Sequence, residues 1–214
     1  MRPLAIDLFC GLGGWTEGLL AEGWRVVGFD IEKHEYGDKR YPAQLVLQDV
    51  LTIHGSQFKD ARLIVASPPC QAYSYRAMPW SRARALPPPD NSLFEACFRI
   101  QREAIEAAGH FIPLVVENVR GAQKWVGRAA WNFGSFYLWG DVPALMPMQR
   151  AIKSDGGSWF GKYEGVKQGG DWFNASQPYI ARRCSSKSKA RKAASAEIAK
   201  IPMPLARHIA SVYK

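Results

Sequence analysis

Five short apolar segments, separated by helical or loop segments, limit the fold of this chain more than any other feature. These predicted strands span Leu4–Phe9, Arg25–Phe29, Leu45–Leu47, Leu63–Ala66 and Phe111–Val116. Strands that alternate with helices are typical of a mostly parallel sheet with helices on both faces. The sequence therefore predicts an α/β fold of the Rossmann-like, doubly wound kind.

Candidate functional residues directly follow these strands. They are Gly11–Gly14, Asp30, Asp49, Cys70 and Glu117. Because ligands bind at the carboxyl ends of the strands in an open parallel sheet, we expect these residues to meet at one edge.

The remaining pattern is less regular. Helices are predicted from Trp15 to Gly23, over Asn91–Ala108 and over Met203–Tyr213, and a further strand over Phe133–Leu138. Arginines and a run of prolines predict a loop over residues 72–90, whereas residues 150–192 show little periodicity.

The composition is that of an ordinary globular protein, with 47% apolar and 22% charged residues. No apolar run approaches the roughly 20 residues of a membrane helix, and the run before Asp7 is too short for a secretory signal. We therefore expect a cytoplasmic protein. The four cysteines show no CxxC spacing, so neither a metal site nor a disulfide framework is predicted.

All of the excess positive charge lies in the last third of the chain. Residues 1–142 contain 15 basic and 15 acidic residues, whereas residues 143–214 contain 13 basic and 4 acidic residues. This asymmetry fits a polyanion-binding region attached to a neutral catalytic body, and it fits a solvated basic tail about equally well.

The glycine-rich turn Gly11-Leu12-Gly13-Gly14 predicts a nucleotide-type loop, because glycines let the backbone turn tightly and approach a ligand. Asp30 ends the next strand, where an acid can bind both hydroxyls of a ribose. The pattern fits a dinucleotide enzyme or an S-adenosylmethionine enzyme, although the G-x-G-G spacing argues against a pyrophosphate site. A plain glycine turn with a solvated acid is the alternative.

The segment Ser67-Pro68-Pro69-Cys70-Gln71 is more specific. Two prolines restrict the backbone and present the cysteine stiffly at the end of a strand, as a nucleophile requires. A cysteine that serves only for packing rarely occurs in such a setting. Glu117 after the fifth strand can act as a proton donor in a pocket, or as a capping acid or surface ion-pair partner.

Three motifs together resemble the signature motifs of the DNA cytosine-5 methyltransferases, in the order and at the separations of that family. They are Asp7–Gly14, Pro68–Gln71 and Glu117–Val119. Residues 90–100 look like the helix after the family's catalytic loop, and residues 201–210 like its closing motif, which returns to the cofactor site. The chain looks like the short phage or prophage members, which implies the S-adenosylmethionine-dependent methyltransferase fold and the cytoplasm of a bacterial host cell.

The resemblance implies a mechanism. Cys70 would add to carbon 6 of cytosine, Glu117 would protonate or hydrogen-bond ring nitrogen 3, and Asn118 would hold the loop at Pro68 and Pro69. The cofactor would be S-adenosyl-L-methionine. Its predicted binding residues are Phe9, Gly11, Leu12, Gly13, Gly14, Asp30, Ile31, Asp49, Val50 and Pro68.

The implied partner is double-stranded DNA, bound by a monomer without a metal. Residues 1–142 would form the catalytic domain, residues 143–200 a small, irregular target-recognition region, and residues 201–214 a helix packed on the catalytic domain. Candidate DNA-binding residues are Gln71, Arg76, Arg82, Arg84, Arg150, Arg182, Arg183, Lys187, Lys189 and Arg191. So few recognition residues predict short or relaxed sequence specificity.

The family's Gln-x-Arg-x-Arg motif has no clear counterpart, the nearest segment being residues 149–153. The arginine that contacts the carbonyl of the base is therefore unassigned, with Arg150, Arg182 and Arg183 as candidates. Three other functions stay open: a catalytically weak DNA-binding protein of the same fold, an RNA cytosine-5 methyltransferase, and a nicotinamide-dependent oxidoreductase.

Overall fold

The structure, a computed structural model, describes residues 2–73, 87–147 and 189–214. Its strands form one seven-stranded sheet, in the order β3-β2-β1-β4-β5-β7-β6. Their bounds are β1 Leu4–Leu8, β2 Arg25–Asp30, β3 Gln44–Leu47, β4 Leu63–Ala66, β5 Leu114–Asn118, β6 Trp131–Phe133 and β7 Phe136–Gly140.

The first five strands pair in parallel, and β7 pairs antiparallel with both β5 and β6. The chain therefore has the mixed α/β sheet, with an antiparallel hairpin at one edge, of the S-adenosylmethionine-dependent methyltransferase fold. The predicted fold class is confirmed.

Five α-helices occur in the described residues: α1 Gly14–Ala21, α2 Ser92–Ala108, α3 Gln123–Val126, α4 Lys189–Ala199 and α5 Met203–Tyr213. Four 3₁₀ helices, over Val50–Thr52, Gly55–Phe58, Gln71–Tyr73 and Arg120–Ala122, lie in the connections. No helix among these residues is long and apolar enough to cross a membrane.

Apolar residues cover both faces of the sheet. On one face, Ala5, Leu63 and Val65 pack with residues of α1 and α5, such as Leu19 and Leu205. The opposite face packs with α2 and the short 3₁₀ helices. Since a strand alternates its side chains, consecutive residues of a fully buried strand supply both cores.

α1 and α5 approach each other closely at Gly18. A Cβ atom at this position would lie 2.4 Å from the Cβ of Ala206 and 2.7 Å from the backbone nitrogen of Arg207. The indole of Trp24 also donates to the carbonyl of Ala210, at 3.1 Å. The C-terminal helix is thus part of the core behind β1 and β2.

Two predicted elements differ from the structure. Phe133–Leu138 is not one strand: it contains the last residue of β6, a turn at residues 134–135 and the first three residues of β7, because Gly134 adopts a φ of 59° and the chain reverses there. β5 begins only after Pro113, which lacks the N–H that a ladder requires. It then continues through Glu117 and Asn118, which pair with β7 instead of following the strand.

Residues 150–192 show little periodicity, yet the helix α4 begins within this segment, at Lys189. A 3₁₀ helix that ends at Tyr73 includes the first two residues of the predicted loop over residues 72–90. Residues 74–86 of this loop lie outside the described part of the chain.

Candidate active site

A cavity of about 430 Å³ opens at the carboxyl ends of β1, β2, β4 and β5. On its β1–β2 side lie the glycine-rich turn and Asp30, and on its β4–β5 side lie Cys70 and Glu117. Parallel strands bring these residues to one edge of the sheet, although Gly11 and Glu117 are 106 positions apart in the sequence.

Unusual backbone conformations shape the β1–β2 side. Phe9, Gly11 and Gly13 have φ values of 57°, 51° and 83°, in the left-handed region that glycine tolerates best. The Gly13 N–H donates to the carbonyl of Cys10 at 2.7 Å, which closes the turn. The chain then enters α1 at Gly14, directly beside the cavity.

Backbone N–H groups hold the carboxylate of Asp30. Its Oδ2 accepts from Gly11 at 2.9 Å, and its Oδ1 accepts from Glu32 at 3.1 Å and lies 3.5 Å from Nε2 of His34. Burial alone would raise the pKa of Asp30, but the bonds from His34, Gly11 and Glu32 outweigh burial and lower it. Asp30 therefore presents a charged acceptor to the cavity.

A second acid stands after β3. Oδ1 of Asp49 accepts from the Leu51 N–H at 2.9 Å and starts the 3₁₀ helix at Val50, whose side chain is buried. Ile31 is exposed over 70% of its surface and lines the cavity together with Val50. These apolar side chains offer a surface for a flat ring.

On the β4–β5 side, a buried amide positions the proline segment. Nδ2 of Asn118 donates to the carbonyl of Pro68 at 3.0 Å, and Oδ1 of Asn118 accepts from the Val119 N–H at 2.8 Å. Just past Pro69, the carbonyl of Cys70 accepts from the Tyr73 N–H at 3.0 Å. Cys70 is thereby held at both ends of its short segment.

The described cysteines differ in accessibility. Cys10 and Cys70 both line the cavity, but Cys70 is partly exposed, whereas Cys10 and Cys97 are buried. Burial raises the pKa of both buried thiols well above the ordinary range. Since the thiolate is the nucleophilic form, Cys70 is the described cysteine best placed to react.

Glu117 is only 7% exposed and lines the same cavity as Cys70. It is part of β5, and its backbone pairs with Leu138 of β7. A carboxyl group mounted on a central strand is held rigidly, as a proton donor requires.

Asp7, on β1 beneath the glycine-rich turn, is buried. Its Oδ2 accepts from the Thr16 hydroxyl at 2.6 Å, and that hydroxyl also contacts the Tyr41 hydroxyl. Burial raises the pKa of Asp7 to about 7, more than the bond from Thr16 lowers it. Within the described residues, Oδ1 of Asp7 has no hydrogen-bond partner.

Most predicted site residues of the described segments line this cavity: Phe9, Gly11, Leu12, Gly14, Asp30, Ile31, Asp49, Val50, Pro68, Pro69, Cys70, Gln71 and Glu117. Asn118 does not line the cavity itself but donates a hydrogen bond to the carbonyl of Pro68, which does. Gly13 faces away, since a Cβ there would lie 2.6 Å from Cδ of Pro42.

Of the predicted DNA-binding residues, only Gln71, Lys189 and Arg191 belong to the described residues. Lys189 and Arg191 lie in the first turn of α4, where Lys189 is exposed. The others lie outside the described part of the chain: Arg76, Arg82, Arg84, Arg150, Arg182, Arg183 and Lys187.

Sequence reasoning missed several lining residues. His34 follows Asp30 by four positions, a spacing that could have suggested a partner for the acid. Ser67 accepts a bond from the indole of Trp15 at 3.0 Å, and Lys200 reaches the cavity from the far end of the chain. No local pattern indicates these last two contacts. Ile201 also lines the cavity, as the resemblance of residues 201–210 to the family's closing motif implies.

Acids dominate the charged lining. Five carboxyl groups, those of Asp7, Asp30, Glu32, Asp49 and Glu117, line the cavity, and Lys200 is the only Lys or Arg among the described lining residues. The described segments contain no group of three or more His, Cys, Asp or Glu suited to a metal ion.

A family model for C-5 cytosine-specific DNA methylases matches residues 4–127. Among solved structures, a putative DNA modification methyltransferase encoded within an E. coli prophage is 23% identical, with a TM-score of 0.41. The match covers 58% of this chain and 34% of that chain.

Two further solved structures are similar to the same extent. The Dnmt2 methyltransferase of S. pombe is 17% identical over 58% of this chain and 36% of its own, with a TM-score of 0.38. The EhMeth methyltransferase of Entamoeba histolytica is 18% identical over 58% and 40%, with a TM-score of 0.39. The chain thus spans little more than a third of the length of these structures, and no curated protein sequence matches it significantly.

Proposed function

Since the chain belongs to the C-5 cytosine-specific DNA methylase family, we propose that it transfers a methyl group from S-adenosylmethionine to carbon 5 of cytosine in DNA, with Cys70 as the nucleophile. One observation carries this proposal. The partly exposed thiol of Cys70 and the carboxyl of Glu117 line the same cavity as the glycine-rich turn and Asp30. This arrangement supports the proposal, because the proposed nucleophile, proton donor and nucleoside site then line one cavity.

The charge of the cavity suits this cofactor. When bound, S-adenosylmethionine supplies an electrophilic methyl group on a positively charged sulfonium. The lining carboxyl groups, among them the charged carboxylate of Asp30, favour such a cation and disfavour the pyrophosphate of a nicotinamide dinucleotide. This observation weighs against the oxidoreductase alternative.

Each part of the cofactor has candidate partners. The carboxylate of Asp30 would accept from the ribose hydroxyls and Asp49 from the adenine amino group. Gly11, Leu12 and Gly14 would bring the backbone close to the methionine moiety. The apolar residues Phe9, Ile31, Val50 and Pro68 would contact the adenine and the sulfur.

Cys70 and Glu117 would act on the base in turn. The Cys70 thiolate forms a bond to carbon 6, and the electron pair of the 5,6 double bond makes carbon 5 nucleophilic. Glu117 gives a proton or a hydrogen bond to ring nitrogen 3 and so neutralises the charge that the attack creates. Carbon 5 would take the methyl group as the methyl–sulfur bond breaks, which leaves S-adenosylhomocysteine. A base would then remove the proton from carbon 5, so that the 5,6 double bond returns and the bond from carbon 6 to sulfur breaks, releasing Cys70 as a thiolate.

Asn118 is a positioning residue in this scheme. Its bond to the Pro68 carbonyl joins the end of β5 to the segment that carries Pro69 and Cys70. Because Asn118 has both amide atoms bonded and is 1% exposed, it can hold this geometry without touching the base.

The target cytosine must flip out of the DNA stack to enter this cavity. Unstacking and unpairing the base cost on the order of a few kcal/mol. We propose that the basic residues 143–200 bind the phosphates, with Lys189 and Arg191 of α4 among them. The small size of this region supports short or relaxed sequence specificity, and residues 201–214 belong with the catalytic domain through α5.

The test is incubation with labelled S-adenosylmethionine and mixed-sequence duplex DNA. The wild type should place label in DNA as 5-methylcytosine, and Cys70→Ala should abolish it while still binding S-adenosylhomocysteine. Cys97→Ala is the matched control, because Cys97 is buried in α2 and does not line the cavity. It should retain label transfer.

Other outcomes would replace the proposal. Label in a mixed RNA pool but not in DNA would make the chain an RNA methyltransferase. DNA and cofactor binding without label from the wild type would make it a binding protein with the methylase fold. Label transfer by Cys70→Ala equal to the wild type would remove Cys70 as the nucleophile.

A further inference from the structure

The junction between α4 and α5 forms one wall of the cavity. Ala199, Lys200 and Ile201 line it, although more than 180 positions separate them from the glycine-rich turn. The contact is close: a Cβ atom on Gly14 would lie 2.3 Å from the backbone nitrogen of Ile201 and 3.0 Å from Cγ of Lys200. Lys200 therefore sits over the first residue of α1.

Lys200 is the only Lys or Arg among the described lining residues, and the Asp, Glu and His side chains of the lining are five carboxyl groups and His34. Its Nζ contacts Oε1 of Glu17 at 2.5 Å, and its side chain is 25% exposed. An ammonium group has three donors and Glu17 Oε1 accepts one, so Lys200 can bind a second anion without leaving this ion pair.

Two neighbouring features indicate a polar ligand at this position. The first N–H groups of α1 have no acceptor within the helix and favour a negative charge. Asp7, 1% exposed, lines the same cavity, and its Oδ1 has no hydrogen-bond partner in the described segments. A ligand group that carries both a carboxylate and an ammonium matches this combination of a cation, helix N–H groups and an unpaired acid.

We propose that Lys200 binds the carboxylate of the methionine moiety of S-adenosylmethionine. This inference rests on the proposed function and adds a specificity residue to it. The remaining lining carboxyl groups would repel the carboxylate of the ligand. The ammonium group of Lys200 would offset this repulsion and so stabilise the amino-acid end of the cofactor in the cavity. Binding would also tie the α4–α5 junction to the cofactor.

The experiment compares two ligands by calorimetry. S-adenosylhomocysteine carries the carboxylate, and 5′-deoxy-5′-(3-aminopropylthio)adenosine is the same molecule without it. Lys200→Met should weaken binding of the first by about 10-fold or more, because a bond between charged groups is lost. It should leave binding of the second unchanged. Lys200→Arg should retain most of the affinity for S-adenosylhomocysteine.

Lys39→Met is the matched control. Lys39 also pairs with an acid, Glu197 of α4, with its Nζ 3.1 Å from Oε1 of Glu197, but it does not line the cavity. Its substitution should change neither affinity. Glu17→Gln gives a second, independent variant: by removing the competing acid, it should tighten S-adenosylhomocysteine about threefold and leave the decarboxylated ligand unchanged.

The outcomes separate the inference from the function on which it rests. An equal loss for both ligands in Lys200→Met, or no loss for either, would overturn the role of Lys200 and leave the methyltransferase proposal standing. Weaker binding of S-adenosylhomocysteine by Glu17→Gln would also overturn it. If the wild type binds neither ligand, both proposals fail.

Discussion

On the β1–β2 side of the cavity, backbone N–H groups of Gly11 and Glu32 hold a side chain, the carboxylate of Asp30. On the β4–β5 side the arrangement is reversed: a side chain, Asn118, holds the backbone at Pro68. The first arrangement presents the fixed charge of Asp30 to a ligand. The second arrangement orients the segment that carries Cys70. Under the proposed function, cofactor binding would depend on the β1–β2 side and bond formation on the β4–β5 side, and substitutions should separate the two.

The largest effect is expected on the β1–β2 side, at Asp7. Burial raises its pKa from 3.8 to about 7, so the folded protein holds a proton that the unfolded chain releases near pH 4. The folded state thus binds more protons between these values, and stability should fall as pH rises from about 4 to 7. Asp7→Asn should remove this fall, on the order of 2–4 kcal/mol.

Urea denaturation from pH 4 to pH 8 measures this effect. Asp60→Asn replaces an exposed acid and should leave the pH dependence of the wild type in place. Parallel stability curves for the wild type and Asp7→Asn would show that Asp7 does not hold the extra proton.

The next largest effect is expected on the β4–β5 side. Glu117→Gln keeps the shape of the side chain and removes the acid, so kcat for methyl transfer should fall by about 100-fold or more. The dissociation constant of S-adenosylhomocysteine should stay within about twofold, since Glu117 is on the opposite side from Asp30. Equal losses of rate and cofactor affinity would show that the two sides are not separable.

Behind the β1–β2 side, Gly18→Ala should destabilise the fold by about 1–3 kcal/mol, because the new methyl group would overlap α5 at Ala206 and Arg207. Thermal unfolding measures the loss. Adding Ala206→Gly should restore only part of it, since the backbone of α5 also lies within 2.7 Å of the new atom. Full stability in Gly18→Ala would contradict the close packing of α1 and α5.

The smallest effect is expected for Asp30→Asn. The amide can still accept one backbone bond but carries no charge, so S-adenosylhomocysteine should bind about 10-fold more weakly. With saturating cofactor, kcat should change little. Asp38 is an exposed acid in the loop that follows Asp30, and Asp38→Asn should bind the ligand as the wild type does. A fall in kcat at saturation would place Asp30 in the chemistry as well as in binding.

Short-range patterns predicted much of the sheet. The apolar runs at residues 25–30 and 63–66 carry enough β-forming residues to identify β2 and β4 without a partner. The hairpin was not predicted as such, because Trp131–Gly140 is apolar on both sides of Gly134 and periodicity alone does not show where such a run reverses. Likewise, Glu117 and Asn118 look like loop residues, and only their pairing with β7 makes them part of a strand.

Local residue patterns dictate the order of strands and helices and the residue types at the strand ends, because these depend on neighbours a few positions away. From the rule that parallel strands end at one edge, these patterns also predict that Gly11, Asp30, Cys70 and Glu117 meet. Tertiary structure alone decided that Asn118 bonds Pro68, that Gly13 faces Pro42, and that Lys200 lies over Gly14. Each of these contacts joins segments whose approach depends on how helices pack on the finished sheet, and no local pattern in the chain encodes that distance.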